Sequence, residues 1–208
     1  AWKDALAGDP VSAFGGILIT NKKLDKKTAE EINKIFFEVI IAPEYDNDAL
    51  EVLKQKKNRI ILIQKIFKFD KPGFKSVIGG ALFQEKDNKT ESAEDFNHIT
   101  KKLATEKEIN DMIFANKVVK HSKSNAIVLA KDKKLCASGI GQTSRVDALR
   151  QAITKANGFG TDLEGSVMAS DAFFPFADSV EIAHNAGINA VVQPGGSIRD
   201  KDSIEFCD

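Results

Sequence analysis

The feature that most restricts the fold of this chain is a recurring order: a short unbroken apolar run, a turn, then a stripe of apolar residues at helical spacing. Residues 39–42 (Val-Ile-Ile-Ala) are such a run, stopped by Pro43, as expected of a strand covered on both faces. Upstream, residues 14–20 are apolar and β-rich. Asp25 is then placed to cap a helix that carries Ala29, Ile32, Ile35 and Phe36 on one face. Downstream, Asp46 or Asn47 can open a helix with Ala49, Leu50, Val52 and Leu53 inward, and residues 59–64 read as another buried strand. Strands alternating with helices predict an α/β fold with largely parallel sheets flanked by helices.

A break follows. Residues 67–83 hold Pro72, Gly73, Gly79 and Gly80, and 84–97 are almost wholly polar. The boundary is therefore placed here, dividing the chain into 1–90 and 91–208. In the second part Thr105 and Glu108 have capping-box spacing, followed by the stripe Ile109, Met112, Ile113 and Val119. Residues 126–130 read as a buried strand pairing with 135–138 as a hairpin. Ser144 caps a helix running to Asn157 and ended by Gly158. Residues 167–169 are a strand, Asp178 caps a helix closed by Gly187, and 188–192 form the next strand before Pro194-Gly195-Gly196. At the ends, Ala1 to Gly8 read as the last turns of a helix with Gly8 as a left-handed stop, and Asp200 as the cap of a helix with no stop signal. The expectation is a piece of a longer chain.

Composition excludes several functions. Thirty Lys plus Arg balance 30 Asp plus Glu, so no global field attracts a polyanion, and no nucleic-acid partner is expected. No run approaches the roughly 18 apolar residues of a membrane span. Cys136 and Cys207, far apart and without a secretory leader, fit a reducing compartment, so a cytoplasmic location is expected. The His-x-Glu and Pro-Cys-x-x-Cys spacings of zinc deaminases are absent, and His98, His121 and His184 assemble no zinc set with either Cys.

Chemistry is sought in the turns that follow strands. Residues 9–16 (Asp-Pro-Val-Ser-Ala-Phe-Gly-Gly) combine a turn with two glycines. Asn125 stands at the entry to a strand, where its amide can both donate and accept. Residues 139–145 (Gly-Ile-Gly-Gln-Thr-Ser-Arg) bring two glycines, a capping Ser and Arg145 to a helix start, which suits a phosphate or carboxylate. This segment lacks the Lys of a phosphate-binding loop and the third glycine of a dinucleotide fingerprint, which disfavours an NAD-type oxidoreductase. Residues 170–178 (Ser-Asp-Ala-Phe-Phe-Pro-Phe-Ala-Asp) place three Phe and a Pro between two acids. The rings either join the core or make a slot for a flat heterocycle.

Taken together with residues 36–43, 123–128 and 193–200 (Gln-Pro-Gly-Gly-Ser-Ile-Arg-Asp), these segments resemble, in order and over nearly the whole chain, the AICAR formyltransferase domain of the bifunctional purine biosynthesis enzymes. The resemblance implies two cytidine-deaminase-like α/β units without zinc. The activity it implies is formyl transfer from 10-formyltetrahydrofolate to 5-aminoimidazole-4-carboxamide ribonucleotide (AICAR), with active sites shared across a homodimer. Gly15 and Glu38 then correspond to nucleotide contacts, Arg145 to a contact with its phosphate or carboxamide end, and Phe173 to the imidazole contact. Asn125 corresponds to the amide that orients the formyl group. Val11, Val146, Pro175, Asp178, Gly196 and Ser197 correspond to the folate-facing wall. A monovalent cation is left open as an accessory ion.

Two departures from the family pattern stand out. Ala137 replaces the first glycine of the Gly-rich turn, while Gly139 and Gly141 are kept. The family's Lys-His-x-Asn-Pro-Cys-Gly segment, which supplies the proton-transfer pair, has no counterpart here, and Lys120-His121 stands in the wrong position for that role. The resemblance therefore implies that these 208 residues alone turn over no formyl group. The rival reading is a catalytically silent nucleotide-binding or scaffold module of the same fold.

Overall fold

The computed structural model describes residues 1–66 and 72–208; the start of the predicted boundary segment, 67–71, lies outside the described residues. Two compact units emerge. One comprises Pro10–Thr90 with Trp2, the other Glu91–Asp208 with Ala1 and Lys3–Asp9. Helix α1 (Trp2–Ala7) ends at Gly8, which is right-handed (φ −68°, ψ −31°) and not the left-handed stop expected. Space explains this glycine: a Cβ would lie 2.9 Å from the Leu135 carbonyl oxygen.

In the Pro10–Thr90 unit, β1 (Gly16–Ile19), β2 (Phe37–Ala42) and β3 (Ile60–Ile63) form a wholly parallel sheet with β2 in the middle. The Asp25 carboxylate accepts from Thr28 N at 2.7 Å and starts α2 (Lys26–Ile32). The helix stops short of Ile35 and Phe36, so they are not part of its stripe; the Phe36 ring instead stacks at 5.1 Å on Phe14. Helix α3 (Asn47–Lys54) packs beside α2, and Ala29, Ile32, Ile40, Ala49 and Leu53 are buried together. β3 is largely exposed, against the expectation of burial, because it is an edge strand with helices on one face only. The Pro/Gly-rich segment is not a plain boundary loop. It contains a hairpin, β4 (Pro72–Val77) and β5 (Gly80–Glu85), turned at Gly79 (φ +81°), with the Phe74 and Phe83 rings paired at 4.9 Å.

In the other unit the capping box forms as expected. Thr105 N donates to Glu108 Oε2 at 2.7 Å and Glu108 N to Thr105 Oγ1 at 3.3 Å, opening α4 (Glu106–Lys120). Next come β6 (Ile127–Lys131), β7 (Lys134–Gly139), α5 (Arg145–Gly158), β8 (Ser166–Ser170), α6 (Asp178–Asn185), β9 (Ile188–Val192) and α7 (Asp200–Cys207). The sheet order is β7-β6-β8-β9, and the sheet is mixed: only β8 and β9 run parallel, while β6 is antiparallel to both its neighbours. The cause is local. β6 returns into β7 through Asp132 and Lys133, both left-handed (φ 56° and 54°), whose N–H groups donate to the buried carboxylate of Asp111 at 2.9 and 2.6 Å. Val128, Ala130, Val167 and Ala169 pack under α4; Ile127, Leu129 and Met168 pack on the opposite side with α5 and α6.

Three helix ends differ by a residue or two from the sequence reading. α5 runs through Gly158 and ends at Phe159, with Gly160 left-handed (φ +68°). Asp178 and Asp200 are the first residues of their helices and not their caps. No helix among the described residues is long and apolar enough to cross a membrane.

Gly139 lets β7 and α5 meet: a Cβ there would lie 1.8 Å from the Ala148 carbonyl oxygen. We expect Gly139→Ala to cost about 1–3 kcal/mol or more, as overpacking against backbone does, measured by urea unfolding. The carboxyls of Asp25, Asp132 and Asp162 sit below their ordinary range. Asp25 is lowered by the Thr28 hydroxyl and backbone N–H, Asp132 by Lys107, and Asp162 by the Glu164 N–H and then Lys131. A depressed folded-state pKa contributes stability above the unfolded value, near pH 4, that is lost as pH falls through the folded value. Urea midpoints should therefore hold from pH 7 to about 5 and fall below about 4; a midpoint flat to pH 3 would contradict this.

Candidate functional site

The register of the mixed sheet gathers four chain segments at one end. Ile127 at the start of β6 is opposite both Gly139 at the end of β7 and Ser170 at the end of β8, and Ala169 is beside Val192 at the end of β9. The β6 entry with Asn125, the Gly-rich turn into α5, the Phe loop after β8 and the Gly-Gly-Ser loop after β9 thus share an edge. It is the carboxyl edge of the parallel pair, where open sheets bind ligands.

Asn125 is held by backbone on every donor. The Ser124–Asn125 peptide is cis. Asn125 N donates to Gln142 O at 3.2 Å and Gln142 N returns to Asn125 O at 3.3 Å. The side-chain Nδ2 donates to Gln142 O at 2.9 Å and to Thr143 O at 3.1 Å. Two carbonyls can be satisfied only by the NH₂ end, which fixes the amide's orientation. Oδ1 is left as a free acceptor among the described residues.

Arg145 is the first residue of α5. Its cap Ser144 accepts from Asp147 N at 3.0 Å and donates to Asp147 Oδ2 at 2.7 Å. The Arg145 Nη2 lies 3.5 Å from Asp171 Oδ1, with the two side chains 19% and 10% exposed. Neither partner is saturated: Arg145 Nε and Asp171 Oδ1 are enclosed without a hydrogen bond. A guanidinium with spare donors, at a helix N-terminus, is an anion-binding arrangement. Val146 follows, half-buried.

The Phe loop divides its rings. Phe174 is fully buried in the core, and its N–H donates to Gln193 Oε1 at 2.6 Å. Phe173, Pro175 and Asp178 remain exposed, as does Phe176, over which the Arg199 guanidinium sits at 5.0 Å. Phe174 thus joins the core, while Phe173 and Phe176 stay outside it. In the loop after β9, Gly195 and Gly196 are left-handed (φ +70° and +98°), and Asp200 Oδ2 accepts from Gly196 N at 2.7 Å and Ser197 N at 3.1 Å. Those N–H groups are spent within the loop, so a ligand there meets the glycine surface and the Ser197 hydroxyl. Asp171, Gln193 and Asp200 carry this architecture; the sequence reading took Asp200 only for a helix cap and did not single out the other two. Each stands inside a quoted motif, but only the fold shows what its side chain holds.

In the Pro10–Thr90 unit, Gly15 (φ +73°) donates its N–H to Phe36 O at 3.0 Å, which brings it beside the exposed Glu38. Both lie at the amino ends of β1 and β2, the edge opposite to that favoured by the open-sheet rule. Val11 is exposed in the preceding loop. Among the described residues no group of three or more His, Cys, Asp or Glu is placed to hold a metal ion.

With these geometries in hand, the chain matches the family described as AICARFT/IMPCHase bienzyme over residues 1–155. The chain belongs to the AICARFT/IMPCHase bienzyme family. It is 64% identical over 207 residues to the bifunctional purine biosynthesis protein PurH of Bacteroides thetaiotaomicron, covering all of this chain and 41% of that protein. It is 54% identical to PurH of Caldicellulosiruptor saccharolyticus (99% of this chain, 40% of that protein) and 49% identical to PurH of Aquifex aeolicus (100% and 40%). The chain thus spans about two fifths of the length of the curated relatives it matches. Gly139 is demanded by the Ala148 carbonyl and Gly141 by its φ of +68°, while Ala137 is accommodated in the core.

Gln193→Leu should leave the Phe174 N–H without its acceptor and cost about 1–3 kcal/mol. Urea unfolding reads this directly, and a variant as stable as the parent would show that water replaces the glutamine.

Proposed function

We propose that this chain carries the nucleotide- and folate-binding residues of an AICAR formyltransferase, which moves a formyl group from 10-formyltetrahydrofolate to the AICAR amine in purine biosynthesis. The observation that carries the reading is the pairing, at one sheet edge, of the Asn125 free acceptor with the unsaturated Arg145 guanidinium. In this reading Arg145 and the start of α5 take the phosphate or carboxamide end of AICAR, Phe173 stacks on the imidazole, and Gly15 and Glu38 supply further nucleotide contacts. Val11, Val146, Pro175, Asp178, Gly196 and Ser197 face the folate. The two units, 1–90 and 91–208, are read as cytidine-deaminase-like, and the enzyme as a cytoplasmic homodimer.

Formyl transfer joins the AICAR amine nitrogen to the formyl carbon and breaks the bond from that carbon to folate N10. The amine gives up a proton and N10 gains one, so both a base and an acid are required. The proton-transfer pair that the resemblance assigns has no match within these 208 residues. What the chain contributes is orientation. Because the Asn125 NH₂ is committed to the Gln142 and Thr143 carbonyls, its Oδ1 is suited to accept from the attacking amine, and not to donate to the formyl oxygen.

Arg145→Ala in the longer polypeptide should weaken AICAR binding by about 1.5–3 kcal/mol, roughly ten- to 150-fold, the range for hydrogen bonds to a charged group. Calorimetric titration measures it. Unchanged affinity would remove Arg145 from the site, and nucleotide binding by the parent without formyl transfer would favour the silent-module reading.

A further inference from the structure

Two loops of the candidate site, residues 171–177 after β8 and 193–199 after β9, are joined twice. At the base, the Phe174 N–H donates to Gln193 Oε1 at 2.6 Å, and the Phe174 ring is buried in the core. At the rim, the Arg199 guanidinium lies over the Phe176 ring, 5.0 Å from its centroid. Between the two ties stand Pro175 on one loop and Gly196 and Ser197 on the other, all three read above as facing the folate. Phe176 is 49% exposed, so the core that anchors Phe174 does not anchor it. Arg199 is fixed from its own side of the cleft. Its Nε donates to Asp202 Oδ2 at 2.6 Å and its backbone N–H to Ser197 Oγ at 3.1 Å.

We propose that Arg199 is a positioning residue for the formyl donor: its guanidinium latches the Phe176 ring to the loop after β9 and so sets the gap between Pro175 and the Gly196-Ser197 backbone that receives the folate. The inference rests on the folate reading of those residues and adds to it a side chain that acts through Phe176 and touches no substrate. Charge argues against a direct role for Arg199. Asp202 already neutralises it, and Asp200 stands beside it in the chain, so little net charge is left for an anionic ligand. With its edge hydrogen-bonded to a carboxylate, a guanidinium still offers a flat face to the negative face of an aromatic ring. Chain mechanics argue for the latch. The ring of Pro175 fixes its φ near −65°, and Phe174 is held in the core, so the freedom left to this part of the loop is the swing of Phe176. The Arg199 contact limits that swing. Phe173 lies on the other side of the Phe174 anchor, so the part of the loop read as facing AICAR does not depend on it.

Steady-state kinetics of the longer polypeptide tests the latch. Arg199→Ala should raise KM for 10-formyltetrahydrofolate about two- to fivefold, the worth of an exposed cation–π contact, with kcat, KM for AICAR and the urea midpoint unchanged. Phe176→Leu, which removes the aromatic face and keeps an apolar side chain, should raise the same KM, and adding Arg199→Ala to it should change nothing further. Phe176→Tyr, which keeps the ring, should match the parent. An unchanged folate KM in Arg199→Ala overturns the proposal. So do single effects that multiply in the double variant, because the two side chains would then act separately. A loss confined to kcat, an equal rise in both KM values or a lowered urea midpoint also overturns it, since each marks general support of the fold or of the whole site. Absence of formyl transfer in the parent polypeptide overturns the folate reading itself, and the parent shows this before any variant is made.

Discussion

The backbone ladders of β6 hold the candidate site together. This strand pairs antiparallel with β7 on one side and with β8 on the other, and from that double pairing the rest follows. Its first residue is brought opposite the last residues of both neighbours, so the Asn125 entry, the Gly-rich turn and the Phe loop must end at one edge. Hydrogen bonds of this kind are individually worth about 1 kcal/mol net, but a strand buried from Ile127 to Ala130 cannot forgo them there without leaving polar groups unpaired. The register is therefore firm, and the loops inherit their placement from it. The Asp111 carboxylate at the far end of the strand, clasping the N–H groups of Asp132 and Lys133, fixes the same register from the turn.

The site built on this edge uses polar side chains in two ways. Some are spent on architecture: the Asn125 NH₂ on the Gln142 and Thr143 carbonyls, Gln193 on the Phe174 N–H, Asp200 on the Gly196 and Ser197 N–H groups. Others are left with capacity: Asn125 Oδ1, the Arg145 guanidinium and the Asp171 carboxylate. Rigid loops with a few unspent polar atoms suit a site that must position two small molecules, because the ordering cost is met in folding and not in binding.

Local chemistry made much of this legible. The Thr105/Glu108 capping box and Asp25 and Ser144 as caps act within four residues, so they could be read directly and occur where expected. The same holds for Asn125 and Arg145, placed by a strand entry and a helix start. Legibility failed where a partner distant in sequence decides. The burial expected of β3 is missing because no helix covers one face. The β4–β5 hairpin was hidden in a Pro/Gly-rich stretch whose alternation is weak. The role of Gln193 is set by its bond to the Phe174 N–H in the loop after β8, 19 residues away.

From its own pattern, the sequence determined the alternation of strands and helices, the helix starts, the absence of zinc-ligand spacing and, through six ordered motifs, the family. These depend on neighbours along the chain, and side-chain type suffices to specify them. Strand direction, the sorting of Phe174 into the core and Phe173 to the surface, the commitment of the Asn125 donors and the exposure of β3 were decided only by tertiary structure. Each depends on which backbone groups and apolar surfaces meet across tens of residues, and that is set by the competition of all pairings at once.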